Sequence, residues 1–220
     1  MKIFRLPEQC GAILFDMDST LYTHPQYAQS QIDLPIERLA RMRGVSFDSM
    51  NKEIICWRKN WAAGHQGQQI SLANTFAAFG VSISQSATWR EELYQPEQYL
   101  SKDKLLRAAL EELAGRHVLA LVTNNPVSIA KRTLAVLGVD DLFHALVGLD
   151  TCGYSKPHEE PFMRAAMLCG AAAESCVSVG DRYDIDIALP LQLGMGGILV
   201  DGVEDVYRLP ELFCDRSNSI

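Results

Sequence analysis

The chain has no excess of positive charge. Its 20 lysines and arginines face 27 aspartates and glutamates, and the formal charge of −7 lacks the basic footprint of a nucleic-acid binder. A phosphorylated metabolite or a bound cation stays compatible, because a local site can differ from the net charge. Long apolar runs are missing as well. No stretch approaches the ~18 residues of a membrane span. Met1-Lys2-Ile3-Phe4-Arg5-Leu6-Pro7-Glu8 has no continuous apolar segment of the secretion-signal type. The six cysteines (Cys10, Cys56, Cys152, Cys169, Cys176, Cys214) form no Cys-x-x-Cys pair, so no zinc spacing supports a metal role for them. Scattered thiols in mostly apolar contexts fit reduced, structural cysteines in a cytoplasmic protein. There is no internal repeat or low-complexity segment, and nothing in the pattern specifies an oligomeric state.

What is present is an ordinary globular composition, 48% hydrophobic and 21% charged over 220 residues, enough for one full core and a small second domain. The chain is organised around Ile13-Leu14-Phe15-Asp16-Met17-Asp18-Ser19-Thr20-Leu21. An apolar run ends on two acids spaced i, i+2, which point the same way in an extended chain. Asp16 and Asp18 are thus candidates to share a site at the strand's C-terminal edge, with a cation or a shared proton offsetting their repulsion. Taken alone, a strand running into an Asp/Ser/Thr turn accounts for the stretch equally well.

From Tyr22 to about Tyr94 the apolar residues recur at helical spacing. A first helix is expected to start at Asp33-Leu34-Pro35, a second at Ser46 with the stripe Met50, Ile54, Trp57 and Trp61, a third at Ser71 and a fourth at Ser86. Trp57 and Trp61 are expected in the core of this module. After Pro96 strands and helices alternate. Ser101 is expected to cap a helix ending at Gly115, and Asn125 and Pro126 fit the N-cap and first position of another. Strands are expected at 118–122, 145–149, 176–179 and 197–200, with helices at 161–169 and 184–193. Alternation implies βαβ units and a parallel sheet that also needs the strand at 12–15. The expected architecture is an α/β, Rossmann-like three-layer core (1–21 and 96–220) with an inserted all-helical domain (22–95).

Three of these strands end in polar punctuation: Asp16 and Asp18, then Thr123-Asn124, then Asp181 with Asp184 and Asp186 behind it. Ser155-Lys156-Pro157 falls on the same sheet edge. In a parallel sheet these ends converge. Hard carboxylate oxygens suit Mg²⁺, and a lysine with hydroxyl and backbone donors suits a phosphoryl group. The bland readings are a solvated lysine and helix N-terminal acids; only joint placement outweighs them.

The chain resembles the haloacid dehalogenase superfamily, in the branch with a helical cap after the first strand. Asp16-x-Asp18-x-Thr20, the run into Thr123-Asn124, Lys156-Pro157 with Pro161 and Phe162, and Gly180-Asp181-x-x-x-x-Asp186 resemble its four motifs in order. Ser19 stands where the pattern usually has Gly. The resemblance implies a Mg²⁺-dependent phosphatase acting on a small phosphorylated metabolite. Asp16 would be the nucleophile and Asp18 the general acid and base. Thr123, Asn124 and Lys156 would hold the phosphoryl group. Asp16, Asp181 and the backbone carbonyl of Asp18 would ligate the metal, with Asp186 orienting a water on it. Spacing favours Asp186 over Asp184. An acid at position 18 argues against the dehalogenase branch, whereas a phosphomutase would use the same residues. A non-catalytic phospholigand-binding protein would normally have lost Asp16, Asp18 or Lys156. Substrate choice should fall to the cap, where Tyr22, His24, Gln26, Tyr27, Arg43, Arg58, His65 and Gln66 are candidates. The Leu21-Tyr22 entry and the cap layout loosely resemble the pyrimidine 5′-nucleotidase-like group most, with phosphoglycolate or a sugar phosphate close behind as the implied substrate.

Overall fold

The computed structural model of the chain describes residues 1–214. Strands Lys2–Arg5 (β1), Ala12–Phe15 (β2), Val118–Val122 (β3), Ala145–Val147 (β4), Cys176–Gly180 (β5) and Gly196–Leu199 (β6) form one sheet, ordered β1-β6-β5-β2-β3-β4. All neighbours run parallel except β1, which pairs antiparallel with β6. Sequence reading missed β1, because Lys2-Ile3-Phe4-Arg5, two apolar residues flanked by charges, has no alternation to signal a strand. The central β2 has Phe15 opposite Leu121 of β3 and Val179 of β5. From β2 the chain goes to one side for β3 and β4 and to the other for β5 and β6. β2 therefore lies at the switch point where open α/β sheets leave a crevice.

Strand alternation sorts the core into two faces. Ile13, Phe15, Leu119, Leu121, Val177 and Val179 bury on one face, and Ala12, Leu14, Ala120, Val122 and Ala145 on the other. Each large side chain so buried contributes ~1.5–3 kcal/mol. Directly after β2 come four helices, Pro25–Arg43 (α1), Phe47–Gly64 (α2), Leu72–Ala78 (α3) and Ile83–Leu93 (α4). They enclose their own cluster, including Ile36, Leu39, Met50, Ile54, Phe76 and Trp89. Lys104–Ala114 (α5), Val127–Leu137 (α6), the one-turn Leu149–Cys152 (α7), Glu159–Leu168 (α8) and Ala188–Gln192 (α9) follow, with a π-helical turn at Tyr183–Ile187.

Ser46 and Ser71 cap α2 and α3 as expected. Four other starts are displaced. Helix α1 begins at Pro25, capped by the His24 ring, whose Nδ1 accepts from the Tyr27 N–H, and Pro35 lies inside it. Helix α4 is capped by Ser82, not Ser86, which is buried mid-helix. Helix α5 is capped by Asp103, whose Oδ1 takes the N–H groups of Leu105 and Leu106, not by Ser101. Pro126, not Asn125, occupies the N-cap of α6, because the Asn125 side chain is engaged in the cleft. Trp57 packs on the helical cluster, but Trp61 leaves it, stacking on His65 with ring centroids 3.9 Å apart.

Pro35 has a local consequence. Proline has no N–H for the carbonyl four residues back, here Gln31. The Tyr94 hydroxyl fills that vacancy, donating to Gln31 O at 2.6 Å.

Candidate active site

The first residues beyond three neighbouring strands meet in the crevice. Asp16 follows β2, Thr123 follows β3 and Asp181 follows β5, with the Asp16 N–H held by Val179 O at 2.8 Å. The loop after α7 brings in Lys156, and the π-helical turn brings in Asp186. The Lys156 ammonium lies 2.7 Å from Asp16 Oδ1 and 2.6 Å from Asp186 Oδ1. Carboxylate oxygens of Asp16, Asp181 and Asp186 all lie within 4.8 Å of one another. Burial lowers the Lys156 pKa, but Asp16 and Asp186 outweigh it and hold the lysine charged. Burial, then Asp16 and Asp186, push Asp181 up to about 7. Burial also raises Asp186, against the pull of Lys156. Three carboxylates against the bonded Lys156 ammonium and the Arg182 guanidinium, 3.9 Å from Asp181, are still short of positive charge. Their hard oxygen donors fit a divalent cation such as Mg²⁺.

Asp186 joins the cluster, while Asp184 Oδ2 accepts from the Gln69 N–H at 3.1 Å, tying the loop after α2 to the core. Gly180 is required by close approach, since a Cβ there would lie 2.4 Å from Asp186 Cβ. Ser19 has φ +61°, a left-handed conformation that glycine adopts without a steric penalty.

Asp18 does not share its partners with Asp16. The sheet pairing ends at Phe15, so the i, i+2 alternation does not carry through to position 18. Its Oδ1 accepts from the Tyr22 hydroxyl and from Gln31 Nε2 at 3.0 Å, and its Oδ2 from Asn125 Nδ2 at 2.7 Å. Burial and then Asp16 raise the Asp18 pKa, while Tyr22 and Gln31 lower it less. Its carboxylate lies outside the three-acid cluster. Thr123 is buried, and its Oγ1 accepts from the Asn125 N–H at 3.1 Å, which leaves the hydroxyl proton to donate. Asn124 clamps the backbone of Lys156: Oδ1 accepts from its N–H at 2.7 Å and Nδ2 donates to its carbonyl at 3.2 Å.

Sequence reasoning missed Gln31, Arg90 and the Asn125 side chain. Arg90 of α4 is 6% exposed and donates to Asn124 O at 2.7 Å and Asn125 Oδ1 at 2.8 Å. A buried arginine amid a helical stripe has no local signal for its partner.

Of the eight residues expected to select substrate, Tyr22 bonds a site carboxylate. Tyr27 is buried and His24 caps α1. Arg43 and Arg58 donate to the carbonyls of Phe79 and Ile70 at 2.9 and 2.8 Å. Gln26, His65 and Gln66 are exposed. A cavity of about 580 Å³ opens between the helical insertion and the core, lined by Trp61, Asn74, Tyr154, Asp184 and the two neighbours of Lys156, Ser155 and Pro157.

A strand-end cluster of this kind, on a sheet of this topology, marks a class of α/β hydrolases. The haloacid dehalogenase-like hydrolase family model matches residues 10–194, and the chain belongs to that family. A phosphoglycolate phosphatase of Xanthomonas campestris pv. campestris is 29% identical over 199 residues, 85% of this chain and 81% of that protein. One of Colwellia psychrerythraea is 41% identical over 63 residues, so the chain spans only 28% of that relative's length in the match. The crystal structure of a HAD phosphatase from Thermococcus onnurineus superposes with a TM-score of 0.64 at 19% identity, covering 92% of this chain and 97% of that one. No helix among the described residues is long and apolar enough to cross a membrane.

Proposed function

We propose that the protein is a Mg²⁺-dependent phosphatase that hydrolyses a small phosphomonoester through an aspartyl-phosphate. The observation that carries this reading is the placement of Lys156 between Asp16 and Asp186, with Asp181 alongside. Lysine holds the attacking carboxylate and presents positive charge where a phosphoryl group would arrive. In the first step an Asp16 oxygen attacks phosphorus, and the bond from phosphorus to the ester oxygen breaks. The departing oxygen takes a proton from Asp18. In the second step Asp18 takes a proton from water, whose oxygen attacks phosphorus. The bond to Asp16 breaks, giving inorganic phosphate and restoring both aspartates. The Thr123 hydroxyl and Lys156 hold the phosphoryl oxygens, and Asn124 acts by fixing Lys156. Asp16, Asp181, Asp186 and the main-chain carbonyl of Asp18 would hold Mg²⁺, whose charge offsets the repulsion between anionic nucleophile and anionic ester.

Residues 22–95 form the cap that selects substrate, over a core of 1–21 and 96–214; the rest of the expected core, to residue 220, lies outside the described residues. The contacts of Gln69 with Asp184 and of Ser71 with Ser155, 2.9 Å between hydroxyls, support a cap seated on the core. The relatives' names make phosphoglycolate the first ester to test. Phosphate release from phosphoglycolate, nucleoside monophosphates, sugar phosphates and an aryl phosphate tests the reading, each run with Mg²⁺ and with EDTA. It predicts turnover that needs metal and is lost in Asp16→Asn. A folded protein that cleaves none of them with Mg²⁺ contradicts it.

A further inference from the structure

Asp18 is held by residues to which the family motifs assign nothing. Three donors converge on its carboxylate: the Tyr22 hydroxyl and Gln31 Nε2 on Oδ1, and Asn125 Nδ2 on Oδ2. Their orientations are mutually fixed. Arg90 donates to Asn125 Oδ1, so the Asn125 amide must turn its NH₂ toward Asp18. Gln31 Nε2 also donates to the Tyr22 oxygen at 3.1 Å, leaving the phenolic proton for Asp18.

Gln31 is pinned at both ends. Its carbonyl, deprived of a helical donor by Pro35, is taken by the Tyr94 hydroxyl, and its side chain spans from α1 to Asp18. Gln31 and Arg90 both belong to the helical insertion, so α1 reaches the group that the proposed mechanism uses for proton transfer directly, and α4 reaches it through Asn125.

We propose that Gln31 is a positioning residue for Asp18, acting from α1 by fixing the rotamer in which Asp18 faces the leaving group. The proposal rests on the phosphatase reading above. A group that orients the acid matters when the leaving oxygen needs a proton, as an alkoxide does. It matters little for a nitrophenolate, which departs unaided.

The test is Gln31→Met, which keeps length and burial but donates no hydrogen bond. It is assayed with glycerol phosphate and 4-nitrophenyl phosphate, the latter by its first-turnover burst so that only the first step is read. The expected result is a kcat on glycerol phosphate lower by about tenfold or more, KM within about twofold, and an unchanged nitrophenol burst rate. Gln31→Asn, which keeps an amide but falls one methylene short, should show the same pattern and covers the case in which the methionine variant fails to fold. Equal losses on both esters, or a raised KM with kcat intact, would overturn the positioning role while leaving the phosphatase reading in place. Absence of wild-type turnover on these two esters and on every ester named under the proposed function would overturn both.

Discussion

Lys156 and Asp16, both buried, meet at 2.7 Å, and the same ammonium holds Asp186. Removing one partner of a buried pair leaves uncompensated charge at a cost of ~3–5 kcal/mol. Lys156→Met should lower unfolding free energy by about that amount in urea denaturation. The loss should shrink in saturating Mg²⁺, because a bound cation replaces the missing charge. A variant as stable as the wild type in EDTA would contradict the charge balance described for this site.

Asp181, raised to about 7, gives metal binding a defined pH dependence. Below that value its carboxyl is protonated, and a cation must displace the proton. Mg²⁺ affinity should therefore rise about tenfold per pH unit from 5 toward 7 and level off above it. For the metal-free fold the sign reverses. A carboxyl raised in the folded state contributes its stability when protonated, so stability falls as pH climbs from the usual carboxylate range through 7. Calorimetry in buffers of differing ionisation enthalpy should detect proton release on binding at pH 6 and little at pH 8. A flat affinity would sink this assignment.

Gly180→Ala should damage the site without disturbing the sheet. The added Cβ falls 2.4 Å from Asp186 Cβ and 2.6 Å from its Cγ, so the carboxylate must move. Misplacement by about 1 Å costs ~10²-fold in rate. kcat/KM should fall by about that factor, and Mg²⁺ affinity should weaken with it. Unchanged Mg²⁺ affinity would mean that Asp186 is not a ligand.

Pro35 and Tyr94 should behave as a coupled pair. Tyr94→Phe strands the buried Gln31 carbonyl, at a cost of ~1–3 kcal/mol. Pro35→Ala restores the helical N–H that can take the carbonyl instead. In a double-mutant cycle the second change should recover most of the loss from the first. Strict additivity of the two changes would show that Tyr94 does not stand in for the missing donor.

Asp16, Thr123 and Asp181 were legible in the sequence because each directly follows an apolar strand, and parallel strand ends share an edge. Lys156 and Asp186 lie further along, in the loop after α7 and the π-helical turn, and needed the spacing of the family motifs as well. The partners of Asp18 were not legible. Gln31 and Arg90 lie on helices whose local pattern reports only a buried face, and Asn125 looks from its neighbours like a cap. The start of α1 was obscured by competing signals, since Pro25 and Pro35 both resemble a first helical residue. Only tertiary contact distinguishes them, through the hydroxyl that Tyr94 supplies. β1 had no apolar period to betray it, and its pairing with β6 decides its conformation.

The most direct test is to look for the phosphoryl group on Asp16. Asp18→Asn should still open 4-nitrophenyl phosphate, whose leaving group needs no acid, but should stall before water attacks the intermediate. Acid quench after mixing with Mg²⁺ and this ester, followed by peptide mass analysis, should find phosphate on the peptide carrying Asp16, in step with a burst of about one nitrophenol per protein. Turnover by the wild type with no burst in Asp18→Asn and no phosphate on Asp16 would contradict covalent catalysis at this residue.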